Sequence, residues 1–360
     1  MRTTKLIAPL LILCLGLGGC HVSGEVENLA YVLALGIDRL GDGRLELTAR
    51  VPRVGKSAGA KGNEDAQSPY LVFHAAGDGL PGALEALQLA TPRQLNLSHI
   101  EMVAVSEALA READFPALVD RLVETPHLYA TAPLIVCGGT ARAFIESLQT
   151  VIGARLSGEI KAMLKHYADQ GCIPETTLAG VSYANRSIYS DPVAIWAELS
   201  EGAQAPESPL AQRYAGAALF KNGRLVRVLD VDKTRLLTLI QGSARSIDVN
   251  YDGRPHELTT ERAPAKYVQI EGDRVAVKIE LAFTTVDELS QEDASRAENA
   301  LEGEIKALVE SCRRDGAEPF GFAERAVSGF ASIPEWQAFR WRERFSTADV
   351  EISVRIHTSG

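Results

Sequence analysis

The chain has 360 residues, of which 46% are apolar and 23% charged, so its composition is that of a folded globular protein and excludes a disordered or collagen-like one. Its length favours two or more domains over a single core. The formal net charge of -10 disfavours binding to nucleic acid, and to anionic lipid through a basic patch, because both depend on clustered lysine and arginine.

The first 20 residues have the layout of a secretory signal. Arg2 and Lys5 form a positive stretch, an uncharged apolar run follows, and Leu17-Gly18-Gly19-Cys20 closes it. This ending resembles the bacterial lipobox, in which the peptide is cut before a cysteine whose thiol receives diacylglycerol. The apolar run is short for a bilayer span, which needs about 20 residues. We therefore predict a signal peptide over residues 1–19 and a mature chain anchored by lipid on Cys20, the alternative being an ordinary signal or a short membrane anchor.

The remaining cysteines and histidines indicate no site of chemistry. Cys137, Cys172 and Cys312 lack the paired spacing of a zinc site or a disulfide framework, and we expect small buried side chains there. None of the seven histidines stands in a metal-binding or catalytic motif. The sequence thus predicts no catalytic residue, no metal and no cofactor other than the covalent lipid on Cys20.

Residues 20–199 form an N-terminal region, long enough for one or two subdomains, in which predicted strands alternate with predicted helices. In chain order we first predict an apolar strand over 29–37, a turn over 38–43, a strand with one exposed face over 45–51 and an exposed loop over 55–68. A strand over 70–75 and a helix with Leu84, Leu87 and Leu89 on one side follow. The region then continues with a strand over 103–105, a helix from Asp114, a strand over 134–137 and a helix opened by Thr140.

A glycine-rich segment interrupts this region with the spacing of a dinucleotide-binding loop. Gly77-Asp78-Gly79-Leu80-Pro81-Gly82 satisfies G-x-G-x-x-G between a predicted strand and a predicted helix. That loop also requires an acidic residue at the far end of the next strand to hold the ribose. Glu101 has the right offset but stands at the start of its strand. We therefore interpret the glycines as a strand-to-helix turn.

Residues 200–213 lose all periodicity and gain Pro, Ser and Glu, which predicts a linker before a C-terminal domain over 214–360. In that domain we predict a hairpin with a type I′ turn at Asn222-Gly223, a helix capped by Asp232, a hairpin around Gly272-Asp273 with a long strand to 285, a long helix behind Ser290 with one apolar face from Ala294 to Cys312, and a terminal strand over 350–356. These elements predict an α+β, multidomain fold with mixed and antiparallel sheets flanked by helices.

Several short segments stand in a fixed order along the chain. They are the lipobox, Ala34-Leu35-Gly36-Ile37-Asp38, Leu97-Ser98-His99, Gly216-Ala217-Ala218-Leu219-Phe220-Lys221-Asn222-Gly223-Arg224-Leu225, and Phe320-Gly321-Phe322 followed by Trp336. Their order and spacing resemble the Ger(x)C family of spore germination lipoproteins over nearly the whole chain. The chain departs from the family at His21-Val22-Ser23, where tryptophan and aspartate usually follow the lipid cysteine, and at Glu318-Pro319, where aspartate-isoleucine is common.

The resemblance implies a C subunit of a nutrient germinant receptor, a non-enzymatic lipoprotein that functions in spore germination. It implies a mixed α+β fold with several domains. It also implies a position on the outer face of the spore inner membrane, with diacylglycerol and an N-acyl chain such as palmitate on Cys20, beside multi-spanning A- and B-type subunits. The main alternative is a lipid-anchored extracellular solute-binding protein, which would have two doubly wound domains closing on a ligand. A lipid-anchored envelope enzyme is the third class, and it would cluster titratable groups in one cleft.

Overall fold

The computed structural model describes residues 28–53, 69–148, 158–199, 212–251, 254–286 and 289–358. The predicted signal peptide, Cys20, the predicted loop over 55–68 and most of the predicted linker lie outside these ranges. The strands are β1 (Leu29–Tyr31), β2 (Ala34–Arg39), β3 (Leu45–Pro52), β4 (Tyr70–Gly77), β5 (Gln94–Asn96), β6 (Met102–Ser106), β7 (Leu134–Cys137), β8 (Val193–Leu199), β9 (Gln212–Lys221), β10 (Arg224–Leu229), β11 (Ser246–Tyr251), β12 (Arg254–Thr260), β13 (Ala265–Glu271), β14 (Arg274–Thr285) and β15 (Asp349–Thr358).

Helices of very different length connect these strands. They are α1 (Gly79–Ala90), α2 (Glu107–Ala110), α3 (Phe115–Glu124), α4 (Ala141–Glu146), α5 (Glu159–Asp169), α6 (Leu178–Arg186), α7 (Val231–Gln241), α8 (Gln291–Asp315), α9 (Phe322–Val327), α10 (Ile333–Phe339) and α11 (Trp341–Phe345). With its mixed and antiparallel sheets flanked by helices, the protein has the α+β fold that the sequence predicts.

The larger sheet has eight strands in the order β10-β9-β8-β7-β6-β2-β3-β4. Its central strands β2, β6, β7 and β8 are parallel, and the outer pairs on both sides are antiparallel. Helices α1, α3 and α6 pack in one apolar core on one face, and α4 and α5 pack in a second core on the other. A sheet covered on both faces explains the near-continuous apolar runs of its central strands.

Two expectations for this sheet and its helices are wrong, the first because tertiary neighbours cover the surface and the second because of helical phase. Strand β3 has no exposed face: Thr48 and Arg50 are buried, the latter with its guanidinium 3.6 Å from the centre of the Tyr70 ring. Leu89 does not join Leu87 in the core but is 83% exposed. Because each helical residue turns by about 100°, Leu89 points roughly 200° away from Leu87.

The smaller sheet is organised around the long strand β14. The C-terminal strand β15 pairs with it in parallel along one side, while β13 and β12 pair with it on the other and β11 continues the sheet beyond β12. Helix α8 covers one face and buries its predicted apolar side there, while α7 packs against the β9–β10 hairpin and α8 within the same core. Ser290 caps α8 as predicted, whereas α7 is capped by Asp230 and not by Asp232, which lies within its first turn.

The β9–β10 hairpin has the predicted type I′ turn, with positive φ angles of 52° at Asn222 and 73° at Gly223. It extends the larger sheet through pairing of β9 with β8, although the sequence assigns it to the C-terminal domain. The apolar core of the smaller sheet also reaches this hairpin at Ala217 and Leu219. The hairpin therefore belongs to both halves of the molecule, and the domain boundary at 200–213 stays a prediction.

Candidate functional site

The glycine-rich segment of the dinucleotide spacing is a packing feature. Gly77 ends β4, and Gly79, with a φ of 62°, begins α1. A Cβ atom on Gly77 would lie 2.3 Å from the backbone of Gly82, so only glycine lets the strand and the helix approach this closely. Strand β4 is also an antiparallel strand at the sheet edge, whereas dinucleotide-binding loops follow a parallel strand.

Replacing Gly77 with alanine is expected to lower the free energy of unfolding by about 2 kcal/mol, because the added methyl group must displace backbone. Gly41→Ala is the matched control, since a Cβ atom there meets nothing within 4 Å. Urea denaturation of both variants checks the assignment. A Gly77→Ala protein as stable as Gly41→Ala would contradict it.

The carboxyl ends of the parallel strands are where α/β folds commonly bind ligands. In this protein a carboxylate of the chain itself lies there, in the place that an anionic ligand would take. The carboxylate of Asp38, at the end of β2, accepts hydrogen bonds from the backbone N–H groups of Ala141 and Arg142, each at 2.8 Å. Two residues earlier, a Cβ atom on Gly36 would lie 2.9 Å from Cγ1 of Ile145. The segment Ala34 to Asp38 therefore holds α4 against the sheet.

Three arginines line a cavity of about 480 Å³ at this edge, but each is already paired with carboxylates. The ion pairs are Arg39 with Glu112 and Asp114, Arg111 with Glu107, and Arg142 with Glu46 and Glu146. An incoming phosphate or carboxylate would have to break these pairs. The cavity is therefore poorly suited to an anionic ligand.

The thiols of the described ranges are equally unsuited to nucleophilic chemistry. Cys137 and Cys312 are buried, and burial raises the pKa of both thiols, that of Cys312 to about 12. Cys172 is a half-buried free thiol. Within the described residues, no three His, Cys, Asp or Glu side chains lie close enough together to hold a metal ion.

A polar cluster lies where the C-terminal segment meets the larger sheet, and we call Asp191, Asn222, Glu318 and Arg342 the junction cluster. Its two carboxylates are buried, the arginine is half-buried and the asparagine is exposed. Asp191 precedes β8 and is buried; its Oδ2 accepts a hydrogen bond from the backbone N–H of Glu318 at 2.9 Å. Its Oδ1 accepts one from Nη2 of Arg342 at 2.5 Å. Nη1 of the same arginine donates to Oδ1 of Asn222 in the hairpin turn at 2.8 Å. The guanidinium of Arg342 thus connects α11 both to the segment before β8 and to the β9–β10 turn.

The Glu318 side chain shapes the segment Phe320 to Phe322. Its Oε1 accepts hydrogen bonds from the backbone N–H groups of Phe320 and Phe322 at 3.0 and 3.1 Å, and its Oε2 accepts one from Ala323 at 3.2 Å. Nζ of Lys266 donates to the carbonyl oxygen of Phe320 at 2.8 Å. The two phenylalanine rings are thereby fixed in the core beneath the cluster.

Burial controls the titration of these groups. It raises the pKa of Glu318 to about 7, an effect to which the nearby Asp191 adds and which the backbone N–H donors oppose. The pKa of Asp191 is raised by burial against the opposing effect of the Arg342 guanidinium, and burial lowers the pKa of Lys266. The hydrogen bonds and the ion pair of the cluster hold two chain segments together.

Neither Asp191 nor Arg342 stands out in the sequence, and Glu318 is notable there only as a departure from the family pattern. The available signals were local and weak: Asp191 stands before a proline at a strand entry, and Glu318 is a lone carboxylate in an apolar stretch. The one residue that the sequence assigns to a site, Cys20, lies outside the described residues.

Comparisons with known proteins cover nearly the whole chain. Residues 23–198 match the family described as "Spore germination protein N-terminal domain", and residues 215–360 match "Spore germination B3/ GerAC like, C-terminal". The chain belongs to the Ger(x)C family. It is 23% identical to YfkR of Bacillus subtilis (strain 168) over 97% of this chain and 94% of that protein. It is 28% identical to spore germination protein KC of the same organism, over 46% of this chain and 41% of that protein.

The crystal structure of the GerBC protein has the same fold as this Ger(x)C protein, with a TM-score of 0.56 and 15% identity over 91% of this chain and 97% of that one. The family segments now have structural roles: Asp38 anchors α4, Asn222-Gly223 forms the hairpin turn, and Phe320 to Phe322 folds around Glu318. Among the residues that the structure describes, no helix combines the length and apolar character that crossing a bilayer requires.

Proposed function

We propose that this Ger(x)C protein is the C subunit of a spore germinant receptor, anchored on the outer face of the spore inner membrane through lipid on Cys20. In this function it contacts multi-spanning A- and B-type subunits and contributes to nutrient-triggered germination without catalysing a reaction. Family membership over both halves of the chain carries the proposal. The lipobox ending at Cys20 supports the anchor, with diacylglycerol on the thiol and an acyl chain on the new amino terminus.

The chemistry of the described residues supports a subunit that acts through protein contacts. The buried thiols of Cys137 and Cys312 are poor nucleophiles because their pKa values are raised. The arginines at the carboxyl ends of the parallel strands are occupied by ion pairs, and the glycine-rich turn is filled by its own helix. We accordingly propose no cofactor beyond the covalent lipid.

A solute-binding protein is the second candidate, and the sheet arrangement disfavours it. Such proteins close two doubly wound lobes on a ligand. This chain has one eight-stranded mixed sheet, and the β9–β10 hairpin connects it to the core of the second sheet. That shared hairpin leaves no simple hinge between two lobes.

Replacing Cys20 with alanine is expected to release the protein from the membrane and to weaken its recovery with multi-spanning germination subunits. The measurement is a pull-down from detergent-solubilised dormant spore membranes, with mass spectrometry of the partners and of the mature N-terminal peptide. Cys172→Ala is the matched control, because it removes a half-buried thiol and leaves Cys20 in place.

Recovery of the unmutated protein and of Cys172→Ala with multi-spanning subunits, lost or weakened in Cys20→Ala, would support both the receptor function and the anchor. Recovery of the unmutated protein alone, or with an ABC-type permease, would overturn the receptor assignment and favour the solute-binding class.

A further inference from the structure

The described part of the chain begins beside the last turn of α1. Strand β1 pairs in parallel with β5, with Leu29 opposite Gln94. Because parallel strands advance in the same direction, Asn28 lies beside Arg93, the residue before β5. Whatever precedes Asn28 therefore leaves the fold next to the segment that connects α1 to β5.

The end of α1 is fixed at this point by a side chain of its own. Nε2 of Gln88 donates a hydrogen bond to the carbonyl oxygen of Arg93 at 3.0 Å, and Oε1 of Gln88 accepts one from the backbone N–H of Leu95 at 2.8 Å. The hydroxyl of Thr91 donates to the carbonyl oxygen of Leu87 at 2.7 Å. The last turn of α1 and the start of β5 thus form one rigid unit.

This unit presents an apolar surface in a chain of net negative charge. Leu89 is 83% exposed, Ala90 and Pro92 are exposed, and Arg93 is half-buried; we call these four residues the anchor-side surface. Residues 86–96 contain no acidic side chain and one basic side chain, in a chain of net charge -10. Glu85, one helical turn before Leu89, is exposed and limits the surface on the side of the α1 N-terminus.

The length of chain before Asn28 decides what can face this surface. Asn28 lies eight positions after Cys20, and the chain between them can span at most about 28 Å when fully extended. A flexible chain of this length has a typical end-to-end distance of only about 16 Å. If lipid on Cys20 is inserted in a bilayer, this short chain keeps the anchor-side surface close to that bilayer.

We propose that the anchor-side surface faces the membrane and that Leu89 enters the boundary between lipid headgroups and acyl chains. This inference rests on the proposed function in one respect, the attachment of the chain to a membrane at Cys20. Leu89 supplies apolar area to the acyl boundary, and the Arg93 guanidinium lies at the level of lipid phosphates. The contact fixes the orientation of an already anchored protein, since one leucine adds little affinity to two or three acyl chains.

The test uses an environment-sensitive fluorophore on the mature chain attached to vesicles at residue 20. A hexahistidine tag before residue 20 replaces the signal peptide, and the vesicles contain phosphatidylethanolamine, phosphatidylglycerol and a nickel-chelating lipid. NBD is attached to Leu89→Cys in a Cys20→Ser, Cys172→Ser background, so that the only other thiols of the mature chain are the buried Cys137 and Cys312. Val286→Cys in the same background is the matched control, because Val286 is an apolar residue 91% exposed at the end of β14 in the other sheet.

We expect NBD at position 89 to brighten several-fold on attachment and to be quenched by brominated lipids, and NBD at position 286 to change little. An unchanged signal at 89, or an equal response at both positions, would overturn the membrane-facing surface. Flotation of the natively lipidated protein with liposomes is measured separately. Its failure would overturn the anchor in the proposed function, while the tethered protein still decides which surface faces the bilayer.

Discussion

The Arg342→Met protein is expected to lose about 3 kcal/mol of its free energy of unfolding, because Asp191 would keep a buried negative charge without its cation. The pair joins residues far apart in the chain, and the same guanidinium also donates to Asn222 in the hairpin turn. Methionine retains most of the apolar stem, so the loss reports mainly on the charge and its hydrogen bonds.

Arg340→Met is the matched control, two residues away. Its side chain is 70% exposed and pairs with Glu343, which is equally exposed, so the expected loss is below about 1 kcal/mol. Chemical denaturation followed by circular dichroism compares the two variants. Losses of similar size would show that Arg342 does not compensate the buried carboxylate of Asp191 in solution.

The local elements of the fold could be predicted because their signals lie within a few residues. Ser290 begins α8 as its capping side chain indicates, and the apolar positions from Ala294 to Cys312 are buried as their steps of three and four require. Asn222 and Gly223 form the predicted turn because both tolerate positive φ. In each case, propensity and tertiary packing favour the same conformation.

What the sequence could not predict depends on neighbours from distant parts of the chain. The alternation in β3 indicates one exposed face, but Thr48 and Arg50 are covered by elements more than 15 residues away. Leu89 is a different case, since its exposure follows from the helical phase within α1 and requires no distant neighbour. Apolar character alone does not decide burial at a helix end, where no second helix covers the outer face.

The junction cluster shows the same limit for the candidate site. Asp191 and Arg342 are 151 positions apart, and no spacing rule connects them. Glu318 could be noticed only because it stands near Phe320 and Phe322, and its contact with the backbone N–H groups of both residues depends on the folded turn. The family pattern thus drew attention to Asn222 and Glu318, but it did not reveal that they meet Asp191 and Arg342 in the folded protein.

The stability of the protein should also depend on pH through Glu318. Burial raises the pKa of this carboxyl group from its ordinary value of 4.5 to about 7 in the folded protein. Between these values the unfolded chain releases the proton and the folded protein keeps it, so stability falls as pH rises. At about 1.4 kcal/mol per pH unit, the contribution lost between pH 4.5 and pH 7 is about 3 kcal/mol.

The Glu318→Gln protein isolates this contribution because glutamine does not titrate. Relative to the unmutated protein, its free energy of unfolding should rise by about 3 kcal/mol from pH 4.5 to pH 7.5, whatever constant offset the lost hydrogen bond to Ala323 introduces. Asp191, whose pKa is also raised, and Lys266 face the same carboxyl group and titrate in both proteins, so the difference reports Glu318 together with its electrostatic coupling to these two groups.

Glu324→Gln is the control for this measurement, since Glu324 lies nearby in the first turn of α9 and its side chain is exposed. Its difference from the unmutated protein should stay constant over the same pH range. A Glu318→Gln difference that is equally constant would mean that the carboxyl group is ionised throughout. The three backbone N–H donors would then outweigh burial, and the junction would carry a fixed negative charge at Glu318 beside that of Asp191.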